Sequence, residues 1–160
     1  MYELLSFSNS VVTRYVKLKN CVTEKVELCF DSSDLHHEGQ QDFWFMKVGE
    51  KYDCKLLLFG LAFDYDREVL EQRRVRMEHR LASDPNSPLE LLICETIDSN
   101  IKVGHLEGIS VMCDGNVYYV PKKDIKGLKN INRFIFDSSR KDLIQVNEII
   151  APHYLDFIPK

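Results

Sequence analysis

The sequence predicts a mainly β fold, with α+β as the alternative class: a curved antiparallel sheet or a small, partly open barrel with one helix near residues 67–82. Short runs rich in β-branched and aromatic residues alternate with tight turns, and a single segment has a helical composition. Gly104 and Gly108 can mark bulges that curve a sheet. We expect a five-stranded barrel within residues 49–160, to which residues 1–48 add a sheet in a single domain.

The N-terminal part of the chain contains three predicted strands and one polar loop. Strands are expected at residues 2–8, 11–19 and 22–30, because each run places most of its apolar residues on one face. Residues 31–42 form the most polar segment and should be an exposed loop. Its histidines and carboxylates are metal-ligand types, but His36 and His37 are adjacent and no metal-binding spacing is present. We therefore expect no metal there.

Residues 43–60 hold the only tryptophan and the densest apolar run, and they are predicted to anchor the core as an antiparallel hairpin. A three-residue loop from Gly49 to Lys51 places Trp44 opposite Leu56 on a wholly apolar face. A two-residue loop that begins at Gly49 suits a type II′ turn better, but it breaks up that apolar face. The first register is preferred, with Trp44 packed inward.

A helix is predicted over residues 67–82, where Glu, Leu, Gln, Arg and Met dominate. Asp66 can cap its N-terminus, and the segment from Ser83 to Pro85 can end it. The alternative is a strand in which the arginines of this segment line up on one side. In either case these arginines could form a basic stripe, but a solvated face with local ion pairs is the preferred interpretation.

The strongest local signal in the sequence is Asp114-Gly115, which predicts a hairpin with a type I′ turn. This register pairs Ile109 with Val120 and Val111 with Tyr118. The other elements predicted after the helix are a strand at 89–96, a turn at 98–100, a strand at 101–106, a helical turn at 122–127, and a strand at 134–136 that stops at 137–139.

Composition and charge indicate an ordinary globular protein, because 44% of its residues are hydrophobic and 29% are charged. The net charge of −4 argues against binding polyanions over the whole surface, but residues 122–141 carry 7 basic and 2 acidic groups. No secretory signal or membrane-spanning run is recognised. The five cysteines are odd in number and lie in or beside apolar runs, which predicts buried, reduced thiols in a cytoplasmic protein.

We expect no enzymatic activity and no cofactor, because the sequence lacks a nucleophile elbow, a phosphate-binding glycine loop and a dinucleotide fingerprint. His79, His105 and His153 are isolated in sequence from a serine or cysteine that they could activate. Asp64 and Asp66 are better explained as turn and cap residues than as an acid and base pair.

A protein-interaction module is the first functional prediction, in the manner of a small acidic inhibitor or immunity protein. Acidic charge and exposed aromatic residues would contact a protein partner, with Asp64, Tyr65, Asp66 and Tyr119 as the candidate contact residues.

Single-stranded nucleic-acid binding by a small β-barrel is the alternative prediction. Tyr118 and Tyr119 would stack on bases, and the basic residues that follow them would contact phosphates. Those basic residues are Lys122, Lys123, Lys126, Arg133 and Arg140.

Overall fold

The computed structural model describes residues 1–9, 14–31 and 43–155 and is mainly β with one long helix, as predicted. The strands are β1 (Tyr2–Asn9), β2 (Arg14–Asn20), β3 (Val26–Asp31), β4 (Lys51–Tyr52), β5 (Cys54–Asp64), β6 (Glu90–Val103), β7 (Leu106–Cys113), β8 (Asn116–Pro121), β9 (Arg133–Val146) and β10 (Ile149–Ile150). The helices are α1 (Arg67–Ser83), α2 (Lys122–Ile125) and a 3₁₀ turn at Pro152–Tyr154. No helix in the described ranges is both long and apolar enough to cross a membrane.

The chain divides into two compact units, and several strands contribute residues to both. Unit 1 comprises Met1–Leu57, Lys102–Glu107 and Lys141–Lys160, and unit 2 comprises Leu58–Ile101 and Gly108–Arg140.

Unit 1 is built on a sheet with the strand order β4-β1-β2-β3-β9. The first four strands pair antiparallel, whereas β3 pairs in parallel with β9, where Phe30 is opposite Asp142. Strand β2 alternates as predicted and buries Val16 and Leu18. The start of the predicted strand 11–19 and most of the predicted loop 31–42, with its histidines, lie outside the described residues.

The predicted hairpin over residues 43–60 is wrong. The segment before β4 forms turns instead of a strand, and Trp44 is 48% exposed. The backbone of this segment bonds to β1: Gly49 N–H donates to the Leu4 carbonyl at 2.8 Å, and Leu4 N–H donates to the Glu50 carbonyl at 3.0 Å. The N-terminal strand therefore takes the hydrogen bonds that the hairpin would have used, and β4 pairs with β1 over only two residues.

Unit 2 is a closed, mixed, five-stranded β-barrel with the order β9-β5-β8-β7-β6. The barrel is closed by antiparallel pairing of β6 with β9, which runs from Glu90 opposite Ser138 to Glu95 opposite Arg133. Its interior is apolar, and the buried residues include Leu58, Leu92, Ile109, Val111, Tyr118, Val120, Phe134 and Phe136. The predicted five-stranded barrel is confirmed. It is closed, whereas the sequence predicts a partly open one.

Two predicted interruptions in this barrel do not exist. Strand β6 continues through the predicted turn at 98–100, and β9 continues through the predicted stop at 137–139. Local turn chemistry is present, since Asn100 N–H donates to Asp98 Oδ1 at 2.9 Å, but it does not break the strand. The chain reverses after β6 at Gly104, whose φ of 59° suits glycine.

The Asp114-Gly115 hairpin is confirmed together with its register. Asp114 and Gly115 have φ values of 49° and 82°, as a type I′ turn requires. Ile109 is opposite Val120, and Val111 is opposite Tyr118.

Helix α1 begins and ends close to its predicted limits. Asp66 caps it: its Oδ1 accepts hydrogen bonds from Glu68 N–H at 2.7 Å and from Val69 N–H at 3.2 Å. Leu70 and Met77, seven residues apart, lie on its buried side.

Candidate functional site

Strand β5 presents an apolar row to solvent along the outside of the barrel. Leu58 is buried, while Phe59 is 50% exposed and Leu61 is 60% exposed, because alternate side chains of a strand point to opposite faces. Phe63 continues this row on β5, and Tyr65, directly after the strand, is 39% exposed. Large apolar side chains this exposed, and in one row, are a feature of interaction surfaces.

Each aromatic ring of this row has an arginine guanidinium stacked against it. The Cζ atom of Arg140 lies 4.6 Å from the Phe59 ring centroid. The corresponding distance is 4.1 Å for Arg73 over Phe63 and 4.1 Å for Arg133 over Tyr65. We call these seven residues the arginine-aromatic face: Phe59, Leu61, Phe63, Tyr65, Arg73, Arg133 and Arg140.

Two elements supply the arginines of this face. Arg133 and Arg140 come from β9, which neighbours β5 in the barrel, and Arg73 comes from α1. Arg73 is also held by Asp137, at 3.7 Å between Nη1 and Oδ2. Stacking on a ring restrains a guanidinium while it keeps N–H donors at its edge for a carboxylate or phosphate. The face is therefore a set of partly preorganised cations on an apolar base.

The strands approach closely next to this face because residue 60 is glycine. A Cβ atom on Gly60 would overlap the carbonyl oxygen of Asp137. In the same region, the hydroxyl of Ser139 donates to the Phe59 carbonyl at 3.2 Å. The small residue thus lets β9 bring its arginines next to the rings of β5.

Asp64 fixes a basic loop at the Tyr65 end of the face. Its Oδ1 accepts hydrogen bonds from the backbone N–H groups of Lys129 at 2.9 Å and Asn130 at 3.2 Å. Asp64 and Asp66 therefore both serve the fold, as a loop anchor and a helix cap. Of the residues predicted to contact a protein partner, Tyr65 belongs to the arginine-aromatic face.

The two tyrosines predicted to stack on bases differ in exposure. Tyr118 is fully buried in the barrel, so its predicted contact with a base is incompatible with this structure. Tyr119 is half-buried, and burial raises its pKa. The pattern of β8 explains this difference, because Tyr118 shares the inward face with Val120.

The predicted basic segment is divided between surface and interior. Lys122, Lys123 and Lys126 are exposed on and next to α2. Burial raises the pKa of Asp124, and Lys123 opposes that rise. Lys141, which closes this basic segment in sequence, is buried in unit 1.

Unit 1 buries two charge clusters. Arg14 and Asp31 are both fully buried, with 3.5 Å between Nη1 and Oδ2. Buried Glu27 accepts a hydrogen bond from Lys141 Nζ at 3.0 Å, and Lys25 Nζ lies 3.2 Å from the same carboxylate oxygen. Pairing of this kind offsets part of the desolvation cost of a buried charge.

The cysteines are free, and most of them are shielded from solvent. Cys94 and Cys113 are buried in the barrel with 3.2 Å between their sulfur atoms, and this hydrogen bond together with burial raises the pKa of Cys94. Burial raises the pKa of Cys54 to about 12 and that of Cys29 well above its usual value. Cys21 is exposed, so the prediction that every cysteine is buried is wrong for this residue.

Histidines and metal-ligand types do not assemble into a recognisable centre in the described ranges. His105 Nε2 lies 2.9 Å from the carbonyl oxygen of His153, a contact that ties the 3₁₀ turn to the start of β7. Within residues 1–9, 14–31 and 43–155, no three His, Cys, Asp or Glu side chains are grouped to hold a metal ion.

Sequence reasoning missed most of the arginine-aromatic face. Phe59 belongs to residues 43–60, which are predicted to anchor the core, and no role is predicted for Leu61 or Phe63. Arg73 was not distinguished from the other arginines of α1. A usable signal is the alternation of bulky residues with Gly60 and Ala62, which is typical of a strand with one confined and one open face.

Comparison of the chain with protein-family models, with curated proteins and with solved structures gives no match.

Proposed function

We propose that this protein is a cytoplasmic, non-enzymatic binding module that docks on another protein through the arginine-aromatic face. The observation that carries the proposal is the exposed row of Phe59, Leu61 and Tyr65 with arginines stacked against it. Aromatic residues and arginine are the types most enriched at the energetic centres of protein interfaces. An inhibitor or immunity-type role fits this mode of action.

The contact residues of this proposal differ from those predicted from the sequence. Asp64 and Asp66 are engaged within the fold, so the contact surface consists of apolar rings and cations instead of carboxylates. A partner would bury Leu61, which contributes a large apolar area at the middle of the row.

Site-specific photo-crosslinking tests the proposal. Leu61 is replaced by benzoylphenylalanine in the full chain, expressed in its native host, and the matched control carries the same residue at Met112. Met112 is 43% exposed on β7, a barrel strand that does not pair with β5. We expect a discrete adduct with one protein from position 61 and none from position 112. No adduct at position 61, or the same products at both positions, would overturn the proposal.

Single-stranded nucleic-acid binding is a second candidate, favoured by the basic loop that Asp64 holds beside Tyr65 and Arg133. A labelled oligothymidylate should then bind at low salt, with an affinity that falls steeply as salt increases. Replacement of Lys122 and Lys123 by Gln should weaken that binding. Absence of binding at low ionic strength would remove this candidate.

A further inference from the structure

Two cysteine side chains meet inside the barrel. Cys94 lies on β6 and Cys113 on β7, and these strands are hydrogen-bonded neighbours in the sheet. The Sγ atom of Cys113 donates a hydrogen bond to the Sγ atom of Cys94 at 3.2 Å, and both residues are buried. Neighbouring strands lie about 4.7–4.9 Å apart, a separation within the range of Cα distances that a disulfide bridges.

The distance between the two sulfur atoms is short enough for a bond to form without movement of the strands. A disulfide bond is about 2.0 Å long, so the thiols, which are 3.2 Å apart, must approach by roughly 1.2 Å. Rotation of each side chain about its Cα–Cβ bond by less than about 30° provides this approach, and a side chain tolerates such a departure from a staggered rotamer.

Cys113 is the sulfur that a small solute reaches first. It is the last residue of β7, directly before the exposed turn residues Asp114 and Gly115. Asn116 closes this turn, since its Nδ2 donates to the carbonyl oxygens of Cys113 and Asp114 at 3.3 Å each. Local opening of a turn requires less free energy than opening of a barrel interior. While the turn is closed, burial and the thiol contact raise the pKa of Cys94 and keep this thiol unreactive.

We propose that Cys94 and Cys113 form an oxidation site, at which hydrogen peroxide converts the two thiols into a disulfide that links β6 to β7. Peroxide transfers one oxygen atom to the Cys113 thiol, which becomes a sulfenic acid, and the first water leaves. The Cys94 sulfur then attacks the Cys113 sulfur and displaces hydroxide, which takes up the Cys94 proton and leaves as the second water. The two electrons that the sulfur atoms lose reduce the O–O bond of the peroxide.

The new bond closes a loop that runs from Cys94 to Cys113. Such a loop restricts the unfolded chain, so oxidation should raise the melting temperature by about 5–10 °C. The oxidation site is independent of the proposed docking function, because neither cysteine belongs to the arginine-aromatic face.

Peptide mapping of the oxidised full chain tests the proposal. The Cys21→Ala variant, which lacks the exposed thiol, is treated with hydrogen peroxide under native conditions for about ten times as long as Cys21 of the native chain needs to react. It is then unfolded, alkylated with iodoacetamide and digested without reduction by trypsin, which cleaves after Lys102 between the two cysteines. We expect the Cys94 and Cys113 peptides as one linked product, together with a higher melting temperature that dithiothreitol reverses.

Substitutions in the same background provide the controls. C94A and C113A should each lose the linked product and the rise in melting temperature. The matched control C54A removes a cysteine of unit 1 and should retain both. Mapping of the Cys21→Ala variant leaves both barrel sulfurs in place, so the test does not require that C94A or C113A folds.

Four results would overturn the proposal. The first is alkylation of both Cys94 and Cys113 after the peroxide treatment, and the second is a sulfinic acid on either residue without a link between them. The third is a linked product that forms only when the chain is oxidised in urea, since the native barrel then does not bring the sulfur atoms together. The fourth is a linked chain that melts at the same temperature as the reduced chain.

Discussion

Arginine meets aromatic rings in both compact units, but in opposite surroundings. In unit 1 the fully buried Arg14 has its Cζ atom 4.5 Å from the Trp44 ring and 5.0 Å from the Phe7 ring, and it lies beside Asp31. In unit 2, Arg133 stacks on Tyr65 in contact with solvent. Both arginines contact aromatic rings, but Arg14 is fully buried beside a carboxylate, whereas Arg133 is exposed.

The difference in burial assigns a stabilising role to Arg14 and a binding role to Arg133. A buried cation must be paired, and loss of its partner is costly, because water cannot replace it. An exposed cation contributes little to stability, since water solvates it equally well in the unfolded chain. The exposed Arg133 of the barrel can therefore contact a partner, whereas Arg14 is committed to the fold.

Replacement of Arg14 by Met should lower the free energy of unfolding by about 3–5 kcal/mol, because Asp31 then loses a buried cation. Urea denaturation measures the change. The double variant R14M/D31L should recover part of the loss, since it removes both charges. A loss below about 1 kcal/mol for Arg14→Met would contradict the role assigned to this pair.

Replacement of Gly60 by Ala should cost about 2–3 kcal/mol, because the new methyl group overlaps the carbonyl oxygen of Asp137. Gly127→Ala is the matched control: its Cβ meets no atom within 4 Å, so the variant should be as stable as the native chain. Thermal melts compare the two. Equal melting temperatures for both variants would mean that the barrel does not depend on this close approach.

Stability should decrease as pH rises above about 9, because an unfolded thiol loses its proton near pH 9.0 while Cys54 keeps its proton until about pH 12. The unfolded state then binds fewer protons than the folded state, which lowers the free energy of unfolding by about 1.4 kcal/mol per pH unit for this group. Denaturation at pH 9 to 11 measures the slope. Cys54→Ala should reduce the slope, whereas Cys21→Ala, at an exposed site, should not.

Replacement of Asp66 by Ala should lower stability by about 1 kcal/mol, since two backbone N–H groups of α1 lose their acceptor. Asp66→Asn retains a capping oxygen and should lose less. Denaturant midpoints of the two variants provide the comparison, and the cap assignment fails if Asn is as damaging as Ala.

Replacement of Arg133 or Arg140 by Gln should change stability by no more than about 0.5 kcal/mol. The same substitutions should weaken binding of the partner protein that crosslinks from position 61. Fluorescence anisotropy for binding and urea denaturation for stability separate the two effects. A large loss of stability in Arg133→Gln would place this residue with Arg14 and remove the contrast between the units.

Local chemistry was sufficient for the elements whose main interactions are close in sequence. The Asp114-Gly115 turn and the Asp66 cap could be predicted because each depends on a few adjacent residues and on backbone conformations that few residue types adopt. The apolar residues of β8 likewise predicted the hairpin register. These features together identified a mainly β fold with one helix.

The amino-acid sequence alone thus determined the type of most elements and the presence of a barrel. Only the tertiary structure decided that β6 closes on β9, that the 43–50 segment pairs with β1, and that Tyr118 is buried while Phe59 and Leu61 face solvent. The physical reason is that strand pairing and burial depend on residues far apart in the chain. A run of consecutive apolar residues does not by itself indicate which of its two faces will be covered.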